Sequence, residues 1–204
     1  MLDIYSIMQY TLCVQNKKII KDIADVITGY TFRSAVKEKT GGSLYVLQAK
    51  NIKDDLMIDE PLMVNTECDT SHTRAFARDG DVAISTRGFF RSAVLHSNKK
   101  ILASSSVYLL RIKESHSIMP EYLALYFNSA IGQQQLGNLM TGAAIKFIAL
   151  KDLKNMKIPL VAIKDQQKLV ILYCNIKKQE QLLKKKRDIQ KNIINGALKQ
   201  MLEE

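Results

Sequence analysis

The sequence of 204 residues contains no tryptophan, only three prolines and three cysteines, and no long uninterrupted hydrophobic run. Cys13, Cys68 and Cys174 are far apart and odd in number, so they fit neither a disulfide framework nor a zinc-binding spacing and are expected to be reduced thiols. The apolar start of the chain lacks the positive charge and the cleavage site of a secretory signal. We therefore expect a soluble, cytoplasmic protein without a membrane partner.

Motifs of several enzyme classes are also missing. Methyltransferases that modify an exocyclic base nitrogen use an Asn- or Asp-Pro-Pro-aromatic tetrad, and no two prolines are adjacent in this chain. There is no GxxxxGK[ST] phosphate loop, no HExxH motif and no nucleophile signature, and His72, His96 and His116 lie in unrelated segments. One alternative stays open, because Asp152-Leu153-Lys154 has the acid-x-Lys form found in metal-dependent nucleases.

What the chain does have is positive charge, with a formal net charge of +10. Clustered Lys and Arg attract phosphates and displace their counterions, so this charge favours a polyanionic partner. Half of the charge lies between residues 164 and 204, where ten Lys or Arg stand against five Asp or Glu, a net of +5. A basic surface that serves only solubility is the alternative interpretation.

The middle of the chain is typical of a small β-structure. Short β-branched and aromatic runs separated by turn residues predict strands at SLYVLQAKNI, DVAISTR, RSAVLH and ILASSSVYLLRIK, which start at residues 43, 81, 91 and 101. These runs predict an α+β fold whose small mixed sheet is mostly antiparallel. The first domain is expected to span residues 1–160.

The last third changes to helical periodicity. Pro120 suits a first helical turn, and MPEYLALYFNSAIGQQQLGNLM predicts one helix with Leu123, Phe127, Ile131 and Leu136 on one face. KNMKIPLVAI predicts another extended piece, and Asp165 is expected to cap a long final helix. We predict that residues 161–204 form a helical spacer and dimerisation arm.

A helical wheel separates the apolar residues of this final helix into two lines. The first apolar line falls within about 60 degrees of one direction and comprises Leu169, Leu172, Tyr173, Ile176, Leu183, Ile194, Leu198 and Met201. The second apolar line comprises Ile171, Leu182, Ile189 and Ile193. A helix with two apolar faces normally contacts two neighbours, for example its own globular domain and a partner helix. We expect the helix pairing to use Leu169, Leu172, Ile176, Leu183, Ile194, Leu198 and Met201.

Several phrases, in their order along the chain, resemble one protein family. KIIKDIADVITGYTFR, YVLQAKNI, RDGDVAISTRG and LASSSVYLLRIK resemble a target recognition domain of the specificity subunit of type I restriction-modification systems. MPEYLALYFNS, TGAAIKFIALKDLKNMKIPL and DQQKL resemble the last third of that domain and the spacer that follows it. The resemblance covers residue 18 to the C-terminus.

The resemblance implies a non-catalytic subunit that recognises double-stranded DNA. Catalysis is implied to lie in separate methylation and restriction subunits, which would carry S-adenosylmethionine, ATP and Mg, and no cofactor or metal is expected in this chain. Specificity subunits of the family carry two recognition domains and two spacers, whereas this chain has one of each. It therefore resembles a half-subunit that forms a homodimer and recognises a two-fold symmetric, interrupted site.

Arginine suits the paired acceptors of guanine, and predicted loops carry several arginines. The candidate DNA-binding residues are Arg33, Arg74, Arg78, Arg87, Arg91 and Lys146. Phe89 and Phe90 could wedge between bases, or at least one of them could pack into the sheet. A helix-mediated adaptor that binds only protein is a further alternative.

Overall fold

The computed structural model describes residues 17–53, 56–67, 74–87, 90–114, 118–141 and 147–203. The chain divides into two compact units, with the boundary between Gln167 and Lys168. We term the part up to Gln167 the globular unit and the part from Lys168 the helical unit, and describe each by itself.

The globular unit is built mainly from short strands. The strands are β1 (Lys17–Ile19), β2 (Ala24–Thr28), β3 (Leu44–Leu47), β4 (Val64–Thr66), β5 (Phe76–Ala77), β6 (Val82–Ser85), β7 (Ser92–Val94), β8 (Ile101–Ala103), β9 (Val107–Ile112), β10 (Met140–Thr141), β11 (Phe147–Ile148) and β12 (Lys157–Pro159). The helices are α1 (Ile20–Ile23), α2 (Pro120–Asn128), α3 (Ala130–Asn138), α4 (Leu150–Asn155) and α5 (Ile163–Glu203), with 3-10 turns at Ala49–Asn51 and Glu60–Leu62.

Two four-stranded sheets dominate the described part of the globular unit. The first sheet has the order β2-β9-β6-β7, and all its neighbours are antiparallel. The second has the order β4-β3-β8-β5, in which only β3 and β8 run parallel. The described residues also form two antiparallel pairs, β1 with β12 and β10 with β11, and three isolated bridges. The predicted α+β fold with a mostly antiparallel sheet and a long C-terminal helix is confirmed.

The main core lies between the two sheets. Leu47 and Ile101 of the second sheet cluster with Ala83 and Leu109 of the first, and all four are fully buried. Side chains alternate across a strand, so Leu44 of β3 packs into a separate cluster on the opposite face of the second sheet. Each such Leu or Ile contributes about 1.5–3 kcal/mol by leaving water, which makes this two-layer core the main stabilising element of the globular unit.

The run predicted as one strand from residue 101 is two strands in different sheets. The chain leaves β8 at Ser104 and enters β9 after Ser106, and the two Oγ atoms of these serines lie 2.8 Å apart. The Ser106 Oγ also accepts a hydrogen bond from the Ala49 backbone N–H at 3.1 Å. The Val107 N–H donates to the Ser104 carbonyl at 2.9 Å, which closes a turn between the two strands. A Cβ at Gly29 would overlap the Ser104 carbonyl oxygen, so only glycine fits there.

The helix predicted from Pro120 is also divided, into α2 and α3. Ser129 has an extended backbone (φ −71°, ψ 158°), and its Oγ accepts a hydrogen bond from the Gly132 N–H, which makes it the N-cap of α3. A Cβ at Gly132 would overlap the Tyr126 carbonyl oxygen, so glycine allows this close turn. The break rotates Ile131 to the surface, where it is 64% exposed, so it does not share the buried position of Leu123, Phe127 and Leu136.

The final helix α5 is continuous over 41 residues, or about 60 Å at 1.5 Å per residue. Asp165 is not its cap, because the helix already begins at Ile163 and Asp165 lies in the first turn. Gln166 is fully buried; its Oε1 accepts from the Met119 N–H at 2.8 Å and its Nε2 donates to the Val161 carbonyl at 2.9 Å. None of the described helices combines the length and apolarity needed to cross a membrane.

Candidate nucleic-acid interface

The five predicted arginines within the described residues are all exposed. They are Arg33, Arg74, Arg78, Arg87 and Arg91. Lys146, the sixth predicted cation, lies outside the described residues. The structure separates the five into a pair in a groove, a pair at a hairpin, and Arg33 in the loop after β2. A direct role in DNA binding stays a prediction for each of them.

A groove with a volume of about 1070 Å³ lies beside β2, one edge strand of the first sheet, and β5, one edge strand of the second. Arg74 and Arg78 line it from the two sides of β5, and Lys154 lines it from α4. Arg74 and Arg78 were predicted from the sequence as DNA-binding residues, but Lys154 was not. Its position beside them depends on the packing of α4 against β2, which the sequence does not indicate.

An ion pair adjoins this groove, because the partly exposed Arg111 lines it and contacts the buried Asp81. Asp81 is 1% exposed, and its two carboxylate oxygens accept hydrogen bonds from Arg111 Nε at 2.9 Å and Nη2 at 2.7 Å. Such two-point, charge-assisted pairs fix both side chains. Asp81 Oδ2 also accepts from the Arg78 N–H at 2.8 Å, and Arg111 Nη2 donates to the Phe76 carbonyl at 3.1 Å. Asp81 therefore holds the turn that presents Arg78.

The β6–β7 hairpin presents the second pair of arginines. Its two strands are closed by the Ser85 N–H, which donates to the Arg91 carbonyl at 3.0 Å, and by the Arg91 N–H, which donates to Ser85 Oγ at 2.9 Å. Ser92 and Asn128 of α2 exchange two hydrogen bonds of 2.9 and 2.7 Å. The backbone that carries Arg91 is thus anchored to a helix while its side chain remains exposed.

Arg87 stands on the other arm of this hairpin and forms an isolated antiparallel bridge with Phe147. Burial raises the pKa of the nearby Tyr108 hydroxyl above its ordinary value, while the positive charge of Arg87 acts in the opposite direction. Tyr108 donates to the Ile148 carbonyl at 3.1 Å. Phe90 is 4% exposed and is therefore unsuited to wedge between bases, and Phe89 lies outside the described residues.

The helical unit exposes both apolar lines. The seven predicted pairing residues range from 44% exposed at Leu169 to 73% at Met201, and the second apolar line ranges from 57% at Leu182 to 66% at Ile193. Tyr173 is half-buried, with the Lys177 ammonium 5.7 Å from its ring centre. Lys177 also pairs with Glu180 at 3.0 Å, so it is less available than Lys184 and Lys191, which follow it at intervals of seven residues.

The remaining predicted groups show no converging chemistry in the part of the chain that is described. Within those residues, no group of three or more His, Cys, Asp or Glu side chains could hold a metal ion. The Asp152-Leu153-Lys154 triplet lies on α4, with Leu153 fully buried. His96 is a surface residue near Asp79, and Cys174 is an exposed free thiol. The other two histidines and two cysteines lie outside the described residues.

Comparison with protein families decides the family. The model of the type I restriction modification DNA specificity domain matches residues 15–196. The chain belongs to this family. The resemblance predicted from the sequence phrases is thereby confirmed. Comparison of this specificity-domain chain with curated proteins gave no match.

Solved structures share the fold of this specificity domain. An HsdS subunit from Thermoanaerobacter tengcongensis is 24% identical, with a TM-score of 0.59 over 83% of this chain and 39% of that one. A structure that describes complex assembly and conformational transition of the type I R-M system is 23% identical, with a TM-score of 0.63 over 88% of this chain and 45% of that one. The S subunit of a type I system from M. genitalium is 15% identical, with a TM-score of 0.51 over 77% and 37%. The chain therefore spans less than half the length of these proteins.

Proposed function

We propose that this chain is a non-catalytic DNA sequence-recognition subunit of a type I restriction-modification system. The observation that carries the proposal is the match of the specificity-domain family over residues 15–196. The two pairs of exposed arginines, in the groove and at the hairpin, supply the long cationic donors that DNA recognition requires. The net charge of +10 supports the same partner.

We further propose that two copies act together. The chain has one globular unit and one helical unit, and both apolar lines of that helix are exposed. Apolar patches of this extent are rare on monomeric proteins and mark contact surfaces. A homodimer joined through the first apolar line would present two globular units. This arrangement suits a two-fold symmetric DNA site whose two halves are separated by base pairs that the protein does not recognise.

The proposal assigns catalysis to other proteins. Methylation and restriction subunits would bind S-adenosylmethionine, ATP and Mg, while this chain directs them to the target sequence in the cytoplasm. The chain itself would contribute recognition alone, so altering the residues that read the sequence should change where methylation occurs before it changes how fast the chemistry proceeds.

The direct test is selection of DNA from a randomised duplex library by the chain together with the methylation subunit of its own system. We expect enrichment of one sequence only when both proteins are present. The methylation subunit alone is the control, because it shares all components except this chain. Equal enrichment with the control would remove the proposal.

The two alternatives give different results in the same assay. A metal-dependent nuclease would cleave the library when Mg is added to the isolated chain, and an Asp152→Ala variant would lose that cleavage. A helix-mediated adaptor would bind the methylation subunit but shift no duplex at any salt concentration. Neither outcome is expected here.

A further inference from the structure

The groove beside β2 and β5 concentrates positive charge from separate parts of the chain. Four of its charged lining residues, Arg74, Arg78, Arg111 and Lys154, are positive, and only Asp25 is negative. Asp25 lies 3.7 Å from the ammonium group of Lys113, which offsets it further. Within the described part of the chain, no carboxylate forms an ion pair with Arg74, Arg78 or Lys154. The groove is therefore suited to an anion.

Arg111, the fourth of these cations, has a structural role, because its charge is already neutralised by Asp81. Arg111 extends from β9 of the first sheet and donates to the Phe76 carbonyl on β5 of the second. The Asp81 carboxylate binds the turn at Arg78 at the same time. This ion pair thus connects β9 of the first sheet with β5 and with the turn at Arg78, and it contributes no net charge to the groove.

The lining favours a sugar–phosphate backbone over base edges. Its charged side-chain donors are arginine and lysine, which lie beside the hydroxyl groups of Thr28, Tyr30 and Thr31, and it contains no Asn or Gln side chain, which would pair with adenine. The groove is also concave, whereas elements that contact base edges must project into a DNA groove. The sugar–phosphate backbone of a DNA strand is convex and can enter such a groove. Contacts to its phosphates position a protein without specifying sequence.

We propose that this groove binds the phosphodiester backbone of the DNA target through Arg74, Arg78 and Lys154, while the exposed hairpin arginines Arg87 and Arg91 contact base edges. The inference rests on the proposed function and divides its cations into two roles. The shared ligand chemistry is the phosphodiester, which a duplex or a single strand could supply.

The test compares three double variants of the chain, each bound to its methylation subunit. Arg74→Gln/Arg78→Gln alters the groove and Arg87→Gln/Arg91→Gln alters the hairpin. Lys17→Gln/Lys157→Gln removes the same charge from the exposed ends of β1 and β12 and is the matched control. Affinity for the selected duplex, a scrambled duplex and a single strand is measured across a salt series, with inorganic phosphate as a competitor and thermal unfolding as a check of folding.

Each lost phosphate contact lowers the slope of log affinity against log salt by about 0.9. For the groove variant, the slope of log affinity against log salt should therefore be smaller by about 1.8. When salt rises from about 50 to 200 mM, the affinity of this variant should fall by a factor about tenfold smaller than the factor for the unaltered protein. Its preference for the selected over the scrambled duplex should stay unchanged. The hairpin variant should lose that preference, and the control should match the unaltered protein.

Replacement by lysine separates the two roles further. Arg74→Lys/Arg78→Lys should restore the salt slope, because a phosphate accepts either cation, whereas Arg87→Lys/Arg91→Lys should not restore the preference, because paired guanine acceptors need the planar guanidinium. A changed preference in the groove variant, or an equal loss of slope in the control, would overturn the inference. If the groove binds the single strand more tightly than the duplex, its ligand is an unpaired strand. If millimolar inorganic phosphate alone competes for it, the groove is a general anion site. Either result counts against binding of the duplex backbone.

Failure of this inference is distinct from failure of the proposed function. If the unaltered protein enriches a sequence and the groove variant binds with the same affinity and slope, only the groove assignment fails. If the unaltered protein enriches no sequence, the proposed function itself fails.

Discussion

The guanidinium group of Arg111 donates two hydrogen bonds, of 2.9 and 2.7 Å, to the buried carboxylate of Asp81. The two residues lie 30 positions apart in sequence, immediately before β6 and within β9, and the Arg111 side chain lines the charged groove. A buried carboxylate needs such a partner, since an unpaired charge in the interior is costly. The Gly80-Asp81 dipeptide thus has a structural meaning: Gly80, at φ +79°, makes the turn, and Asp81 secures it.

Replacing Asp81 with Asn should destabilise the globular unit. The substitution leaves the partly exposed Arg111 without its counter-charge and weakens the charge-assisted hydrogen bonds between them, which costs about 1.5–3 kcal/mol. Urea unfolding followed by circular dichroism measures the change. Asp79→Asn is the control, because the Asp79 side chain is 73% exposed and should change stability by less than about 0.5 kcal/mol. Equal stability of the two variants would show that the Asp81 pair does not stabilise the fold.

Replacing Leu183 with Asp should disrupt the proposed homodimer. The new carboxylate would lie in the middle of the first apolar line, where pairing would bury it without a partner at a cost of several kcal/mol, more than a hundredfold in the dissociation constant. Light scattering at micromolar concentration reports the mass. Gln181→Asp, on the polar side of the same helix, should leave the dimer intact. A monomeric unaltered chain that remains monomeric with its methylation subunit would contradict the pairing.

Replacing Lys177, Lys184 and Lys191 with Gln should weaken DNA binding only modestly. These residues line one exposed stripe of the helix at seven-residue spacing, and Lys177 is partly satisfied by Glu180. We expect a smaller salt slope and an unchanged target sequence, measured by titration of the selected duplex. Methylation of a different sequence by this variant would mean that the helix takes part in recognition.

Stability should fall at high pH because of Tyr122. Burial raises the pKa of its hydroxyl from 10.0 to about 12, and the hydroxyl donates to the Pro159 carbonyl at 2.8 Å. The unfolded chain therefore loses this proton first, so the stabilisation is complete below pH 10 and declines as the pH rises towards 12. Tyr122→Phe should show a shallower decline over this window, leaving the part that the similarly buried Tyr126 contributes. An identical decline in both proteins would exclude Tyr122 as its source.

The sequence predicted those parts of the fold that have local signals. The strands β3, β6 and β7 and the long helix α5 follow from periodicity and turn residues, and Pro120 begins α2 as expected. The crossing between sheets after Ser104 was missed, because it depends on the pairing of β8 with β3 and β5, and of β9 with β2 and β6, which are not adjacent to them in sequence. The strands of two or three residues, such as β5, have no pattern of their own and exist through pairing with distant strands.

The candidate site was predictable in its residue types but not in its grouping. Arginines near turns could be named from sequence, yet only packing brings Arg74 and Arg78 together with Lys154 and separates them from Arg87 and Arg91. The Asp81–Arg111 pair has no sequence signal, because its partners are 30 residues apart, in a turn and on a strand that local patterns do not connect. Convergence of this kind depends on sheet order, which local propensity does not determine.

The measurement that tests the central claim most directly is a map of methylated adenines across a plasmid in cells that express this chain with the methylation subunit of its own system. The account predicts methylation at one interrupted, two-fold symmetric sequence that disappears when this chain is omitted. Methylation at an uninterrupted or asymmetric sequence would contradict the action of two identical copies. Methylation that persists without the chain would contradict its role in recognition.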